Sequence, residues 1–291
     1  MTNPALKLKL KVVDVIKKVV KKLAFSAGYH QRIVDLEAQQ KVLRAIIDKS
    51  VLVKTRNLIF ENLQIVSIIG KSKTRIGSKF DGGYVIANDF ESVTSVIALG
   101  IGKNLDKEKF FVNNKVKVFG YDGTIGCKSP LNHNFFVFNP KNVGVQQGQI
   151  SINEIIENDI GINSLKENSI LFIDVEGSEY EILNDIKPEF LSLFRQIVIE
   201  FHDLIRETSE GGKFRLVKQK LLTNFNTYHV HANNFGASIE LMGGEIIPDV
   251  LEITFINKYL YKTLNDFNKC PSTLDAPCNP NKPELIFSWN S

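Results

Sequence analysis

Three features of the 291-residue chain predict an α/β fold built on a mainly parallel sheet. The first is Ser169-Ile170-Leu171-Phe172-Ile173-Asp174, a short apolar run that reads as a buried strand and ends in Asp174 and Glu176. It turns at Gly177 and resumes with helical spacing at Tyr180, Ile182 and Leu183 before Pro188. The second is Leu99-Gly100-Ile101-Gly102, where another apolar run breaks into two glycines ahead of a helix. The third is the alternation of strand-like and helix-like segments along the chain, with polar groups gathered at the carboxyl ends of the strands. That edge is where an open α/β sheet binds its ligands.

Composition sets the frame. An apolar content of 43% allows a full core, and the net charge of +4 is small and concentrated in the lysine-rich first 25 residues. The remainder is close to neutral, which excludes a broad basic surface for nucleic acid. Cys127, Cys270 and Cys278 have no metal-finger spacing and are odd in number, as expected for a reduced, cytoplasmic setting. No secretory signal is visible and no segment reaches the ~20 apolar residues of a membrane span.

Residues 1–60 read as a helical appendage ahead of a domain at 61–291. Val12, Val13, Ile16, Val19, Val20 and Leu23 share one face of a helix whose other face carries five lysines. Packing of the valine face on its own domain or on a dimer mate is expected. Contact with a protein partner or the inner face of an anionic membrane, through residues 1–25, is the alternative. A second helix, over 30–50, carries Ile33, Leu36, Leu43 and Ile47 at near-heptad spacing, so a homo-oligomer is expected.

In the domain, Asp81-Gly82-Gly83 signals a tight turn leading into Val85-Ile86-Ala87, with Arg75 or Asp81 facing a ligand if the turn is functional. A strand from Ser95 to Leu99 then breaks at Gly100 and Gly102. A dinucleotide fingerprint would need a small residue at position 105, where Leu105 stands, so NAD and phosphate cradling are disfavoured. The strand from Val116 ends in Asp122, about 20 residues past the glycines, where an acid can accept both hydroxyls of a ribose. Further strands are predicted at 134–138, 170–174, 196–203, 226–234 and 250–256. Helices are predicted at 105–112, from the run Ile150–Glu154 through about Asn158, after Gly177 and at 213–224, and the last two strands close as an antiparallel hairpin. If the strand at 170–174 continues far enough, alternation puts Asp174 and Glu176 on one face. Two such carboxylates call for a cation, a positive ligand or a proton in transit. Glu200 and His202 share a face in the same way, as do His229, His231 and Asn233. The proline-rich tail from Cys270 is expected to wrap over the surface.

The run Ile173-Asp174-Val175-Glu176-Gly177-Ser178-Glu179 resembles the Asp-(Ile/Val)-Glu-Gly-x-Glu motif of FkbM-type methyltransferases. Arg75-Ile76-Gly77 with Asp81-Gly82-Gly83-Tyr84, the Leu99–Gly102 turn, Glu200-Phe201-His202, His231-Ala232-Asn233-Asn234 and Leu274-Asp275-Ala276-Pro277 are similar to its other landmarks, in the same order. The likeness spans about residues 70–280. It implies a class I, Rossmann-like methyltransferase sheet of seven strands with a reversed last strand. It also implies S-adenosylmethionine as cofactor and O-methylation of a sugar, nucleotide-activated or glycan-linked, in surface-polysaccharide or secondary-metabolite synthesis, with a sugar or sugar nucleotide as the small-molecule substrate. Cofactor contacts are expected from Gly77, Gly100, Gly102, Asn104, Asp122, Gly123 and Thr124, with the methionine part held by Arg75, Asp81, Gly82, Gly83 and Tyr84. The expected catalytic set is Asp174, Glu176, Glu200, His202, His231 and Asn233. An imidazole base would raise activity through pH 6–7, while Asp174, Glu200 and His202 are candidate ligands for a divalent metal. A nucleotide-sugar enzyme such as a glycosyltransferase, or a non-catalytic scaffold, would use a similar sheet without the sulfonium cofactor.

Overall fold

A computed structural model of the chain describes residues 49–165, 168–209, 212–241 and 244–290. Seven strands form the central sheet: β1 (Ser95–Leu99), β2 (Lys117–Tyr121), β3 (Phe136–Asn139), β4 (Ser169–Ile173), β5 (Phe194–Phe201), β6 (Phe225–Ala232) and β7 (Leu251–Asn257). Their spatial order is β3-β2-β1-β4-β5-β7-β6. The first five pair in parallel, and β7 lies antiparallel between β5 and β6. This is the α/β sheet with a reversed last strand that the sequence predicts.

Alternation along the buried strands supplies both faces of the sheet. Ile97 and Leu99 of β1 and Leu171 and Ile173 of β4 join the larger core. Helices α1 (Lys49–Phe60), α3 (Glu179–Asp185) and α4 (Lys213–Asn224) close that side through Phe60, Leu183 and Leu221. Val96, Ala98, Ile170 and Phe172 point the other way, onto α2 (Asp106–Asn113) and an antiparallel hairpin of Lys73–Gly77 with Gly83–Ala87. The hairpin carries the expected tight turn and is separate from the main sheet.

The end of the expected appendage belongs to this body. Ile59 and Phe60 are buried, Phe60 stacks on Trp289 at 4.8 Å, and Lys218 Nζ donates to the carbonyls of Leu58, Ile59 and Glu61 at 2.7–3.0 Å. Those carbonyls lie at the α1 carboxyl end, where intrahelical donors run out. The helix expected at 12–23, and that at 30–50 up to residue 48, lie outside the described residues.

Two boundaries that shape the ligand edge differ from expectation. β4 stops at Ile173, and after the Asp174 amide bonds to the Leu99 carbonyl the chain turns, with Glu176 at φ +53°. Strand alternation therefore does not pair Asp174 with Glu176, whose side chain is 87% exposed. The segment after β3 starts a helix at Ile152 on a Ser151–Glu154 capping box and then widens into π turns over Ile155–Ile160. The tail from Cys270, expected to wrap over the surface, packs on β6, where Asp275 meets His229 and Glu284 meets His231; no helix among the described residues is long and apolar enough to cross a membrane.

Candidate active site

The carboxyl ends of β1, β2 and β4 open into a cleft of about 710 Å³, walled on its far side by the hairpin turn. At its floor the chain leaves β1 through Gly100, which has φ +73° and lies against β4 so closely that a Cβ would run into the Asp174 carbonyl oxygen. Glycine is obligatory there for packing reasons. Gly102, also left-handed at φ +56°, has nothing within 4 Å of where its Cβ would be, so its surface is open to a ligand.

Asp122 stands at the end of β2 and fixes this floor. Its Oδ2 accepts the Gly102 amide at 2.9 Å, and its Oδ1 accepts the Thr124 amide and hydroxyl at 2.7 and 2.6 Å. Burial by itself raises its pKa, but these donors outweigh burial and hold the carboxyl below its ordinary value. The acid is thus ionised and aimed by its neighbours, with acceptor capacity left for a ligand hydroxyl. Of the residues expected to hold the cofactor, Asp81, Gly82, Tyr84, Gly100, Gly102, Asn104, Asp122 and Thr124 line the cleft.

Arg75, Gly77, Gly83 and Gly123 do not line it, and each supports the residues that do. The Arg75 guanidinium donates to the carbonyls of Ser78, Lys79 and Phe80 and so braces the turn that walls the cleft. Gly77 and Gly83 are cross-strand partners at the hairpin mouth, where side chains would strike the Gly82 and Ser78 carbonyls. Gly123 packs against the Asn142 side chain.

A cluster of acids and an imidazole lies at the β4–β5 end. Tyr84 Oη donates to Asp174 Oδ2 and Glu200 Oε2, both at 3.3 Å. Asn233 Nδ2 donates to Glu200 Oε1 at 2.7 Å and reaches Asp81 Oδ1 at 3.4 Å. His202 Nε2 faces Glu176 and Glu200 at 3.5 and 3.7 Å, while its Nδ1 lies 2.6 Å from Glu179 Oε1. Asp174, Glu200 and His202 each present a ligand atom within 4.8 Å of the others. The expected catalytic residues therefore meet here, with one exception. His231 turns to Glu252 and Glu284 instead, at 2.8 and 3.3 Å, and touches neither Asp174 nor His202.

Crowding of negative charge explains the titration of the cluster. Burial raises the Asp174 carboxyl to about 6; Lys107 and His202 restrain the rise, and Glu176 and Glu179 add to it. Burial, followed by the charges of Asp174 and Glu252, pushes Glu200 well above the carboxylate range. For His202 burial acts downward, but the hydrogen bond and charge of Glu179, with the charges of Glu200 and Asp174, override it and lift the imidazole to about 9. With its pKa near 9, His202 keeps its proton at neutral pH, which favours a carboxylate over this imidazole for the direct base, one of the alternatives the sequence left open.

Two contributors were not singled out by sequence. Glu179 is fully buried, closes the same acidic motif as Asp174 and Glu176, and accepts both the Gly177 amide and the His202 ring. Its signal was its place in the motif. Lys107, buried on α2 with its ammonium over the rings of Tyr84 and Phe172 at 5.3 and 4.8 Å, looked in sequence like any solvated helix lysine.

With this geometry in view, the family model described as "Methyltransferase FkbM domain" matches residues 72–234, more than half of the chain. The chain belongs to the FkbM methyltransferase family. As a member it is an S-adenosylmethionine-dependent methyltransferase. The match starts beside the bracing hairpin and ends just after Asn233, so it includes every wall of the cleft described above. Solved structures give distant likenesses to this FkbM domain. One is the Methanococcus jannaschii fibrillarin pre-rRNA processing protein, at 9% identity and TM-score 0.35, covering 65% of this chain and 88% of that one. Another is M. jannaschii TYW2 in complex with AdoMet, at 12% identity and TM-score 0.29, covering 58% and 72%. No curated protein matches the chain.

Proposed function

We propose that this FkbM methyltransferase moves the methyl group of S-adenosylmethionine to a hydroxyl of a sugar, free or carried on a nucleotide or glycan. The observation that supports this reading is the meeting of Asp174, Glu200 and His202 at the cleft end where Tyr84 crosses between the two carboxylates. In-line transfer needs an acceptor oxygen held about 3 Å from the methyl carbon, and a group to take its proton. Asp174 suits the second requirement, because with its carboxyl at about 6 it is ionised at neutral pH yet basic enough to accept a proton. His202, protonated and held by Glu179, balances the charge of the Asp174 carboxylate. Asp81 and Asn233, bridged at 3.4 Å, offer an acceptor and a donor to the further hydroxyls that a sugar carries. The cofactor ribose is assigned to Asp122 and the backbone to Gly102.

A divalent ion is a second reading, favoured by the same grouping. Two carboxylates and an imidazole fit a hard-to-borderline ion, and Asp174, Glu200 and His202 would hold it. Such an ion supplies a Lewis acid that acidifies the acceptor hydroxyl. Tyr84 and Asn233 would then orient the carboxylates, and Glu179 the ring.

Transfer assays with sugar and nucleotide-sugar acceptors, run across pH with and without chelator, test the proposal. With Asp174 as the base, turnover rises as pH passes about 6, levels by pH 7 and survives chelation. Turnover that collapses with chelator and returns with a divalent ion selects the metal reading. Methylation of amines in place of hydroxyls, or of no saccharide offered, contradicts the proposed acceptor.

A further inference from the structure

Beyond the acidic cluster, on β6 and β7, lies a second set of ligand-type side chains that methyl transfer does not use. His231 and Glu252 are cross-strand partners, and the tail brings Cys278 and Glu284 to them. His231 Nδ1 lies 2.8 Å from Glu252 Oε2, and Cys278 Sγ lies 3.2 Å from Oε1 of the same carboxylate. All three side chains are more than nine-tenths buried, and one ligand atom from each lies within 4.8 Å of the other two.

We propose that His231, Glu252 and Cys278 form a binding site for a zinc-like divalent ion that clasps the tail to the sheet. One nitrogen, one oxygen and one sulfur from three separate elements make a donor set suited to zinc rather than to the hard ions of an all-oxygen site. Glu284, 3.3 Å from His231 Nε2, takes the outer position in which a carboxylate usually fixes the ring of a metal-bound histidine. Charge also balances. With a carboxylate on each nitrogen the ring carries two protons. Entry of the ion releases the Nδ1 proton and the Cys278 thiol proton, so two departing positive charges are replaced by two arriving ones. Cys270, although near, is engaged elsewhere, its thiol 3.7 Å from the Leu285 carbonyl. The clasp would reinforce bonds the tail already makes: Asn234 Nδ2 donates to the carbonyls of Asn279, Lys282 and Pro283 at 3.0–3.2 Å.

The test uses the full-length chain carrying Cys127→Ser, which removes the exposed thiol. Chelator-stripped protein is titrated with cobalt(II) alone and followed by absorption and melting. One equivalent should produce a near-ultraviolet thiolate-to-cobalt band and raise Tm by several degrees, and zinc should quench the band while keeping the higher Tm. Adding Cys278→Ser should abolish both effects, whereas Cys270→Ala and Asp174→Asn should retain the band. A hydrogen-bonded lock without metal predicts no band in the parent protein, and that result overturns the proposal. So does an undiminished band after Cys278→Ser. Should that variant fail to fold, Cys270→Ala decides: loss of the band there assigns the thiolate to Cys270 and overturns the proposal.

Discussion

Glu179 shows how one buried side chain sets the chemistry of another. Its carboxylate meets His202 Nδ1 at 2.6 Å, so the ring presents Nε2 to Glu176 and Glu200 and carries its charge into the neutral range and beyond. Glu179→Gln keeps the shape and removes the charge. NMR titration of the His202 ring in that variant should show its pKa falling from about 9 towards the ordinary 6.5, and turnover should drop at least tenfold with cofactor affinity within about threefold. An unchanged titration would mean that Glu200 and Asp174 suffice to hold the proton. At this scale the sequence disclosed the residue types of the site well, because acids and histidines at strand ends are conspicuous. Pairings were less legible. His231 and Asn233 share one strand periodicity, yet Asn233 reaches Glu200 while His231 is captured by Glu252 and Glu284. Those partners come from β7 and from the tail, distances along the chain that no local pattern spans.

The element that carries the site is the pair of turns leaving β1 and β4. Gly100 and Gly102 look alike in sequence and differ in physical role. Gly100→Ala drives a methyl group into the Asp174 carbonyl at a left-handed residue, so urea unfolding should show a loss of about 2 kcal/mol or more. Gly102→Ala meets open space and should cost only about 1 kcal/mol, the penalty of its φ, while weakening cofactor binding at least tenfold by occupying the ligand face. The reverse ranking would place the cofactor elsewhere. Strand positions were legible because buried parallel strands are short, continuous apolar runs, and the reversed β7 followed from a connection lacking a long helix. What sequence did not show was where β4 ends. Asp174, Val175 and Glu176 continue the alternation on paper, but Glu176 adopts φ +53° and its side chain leaves the sheet for solvent.

Over the whole molecule, the two ends of the described chain close on the sheet together. Trp289 Nε1 donates to the Leu63 carbonyl at 2.8 Å, and Asp275 accepts His229 Nε2–H at 2.9 Å beneath the tail. Burial raises the Asp275 pKa, but the hydrogen bond and charge of His229 prevail and bring it to about 2. A depressed carboxyl adds stability that is complete above its unfolded pKa near 4 and disappears as pH falls through about 2. Asp275→Asn should therefore lower stability at pH 7 by about 2 kcal/mol. It should also flatten the loss of Tm between pH 4 and 2, as scanning calorimetry would show. An acid limb as steep as wild type would assign that loss to other carboxylates.

On the proposed reading, the cleft at the ends of β1 and β2 holds S-adenosylmethionine through Gly102 and Asp122, and methyl transfer depends on it. Calorimetric titration of S-adenosylhomocysteine into the wild-type chain and into Asp122→Asn tests that placement most directly. Binding there predicts one site per chain and a tenfold to hundredfold weaker Kd in the variant, about 1.5–3 kcal/mol for charge-assisted hydrogen bonds lost. Equal affinity in the two proteins, with the variant folded, would contradict it.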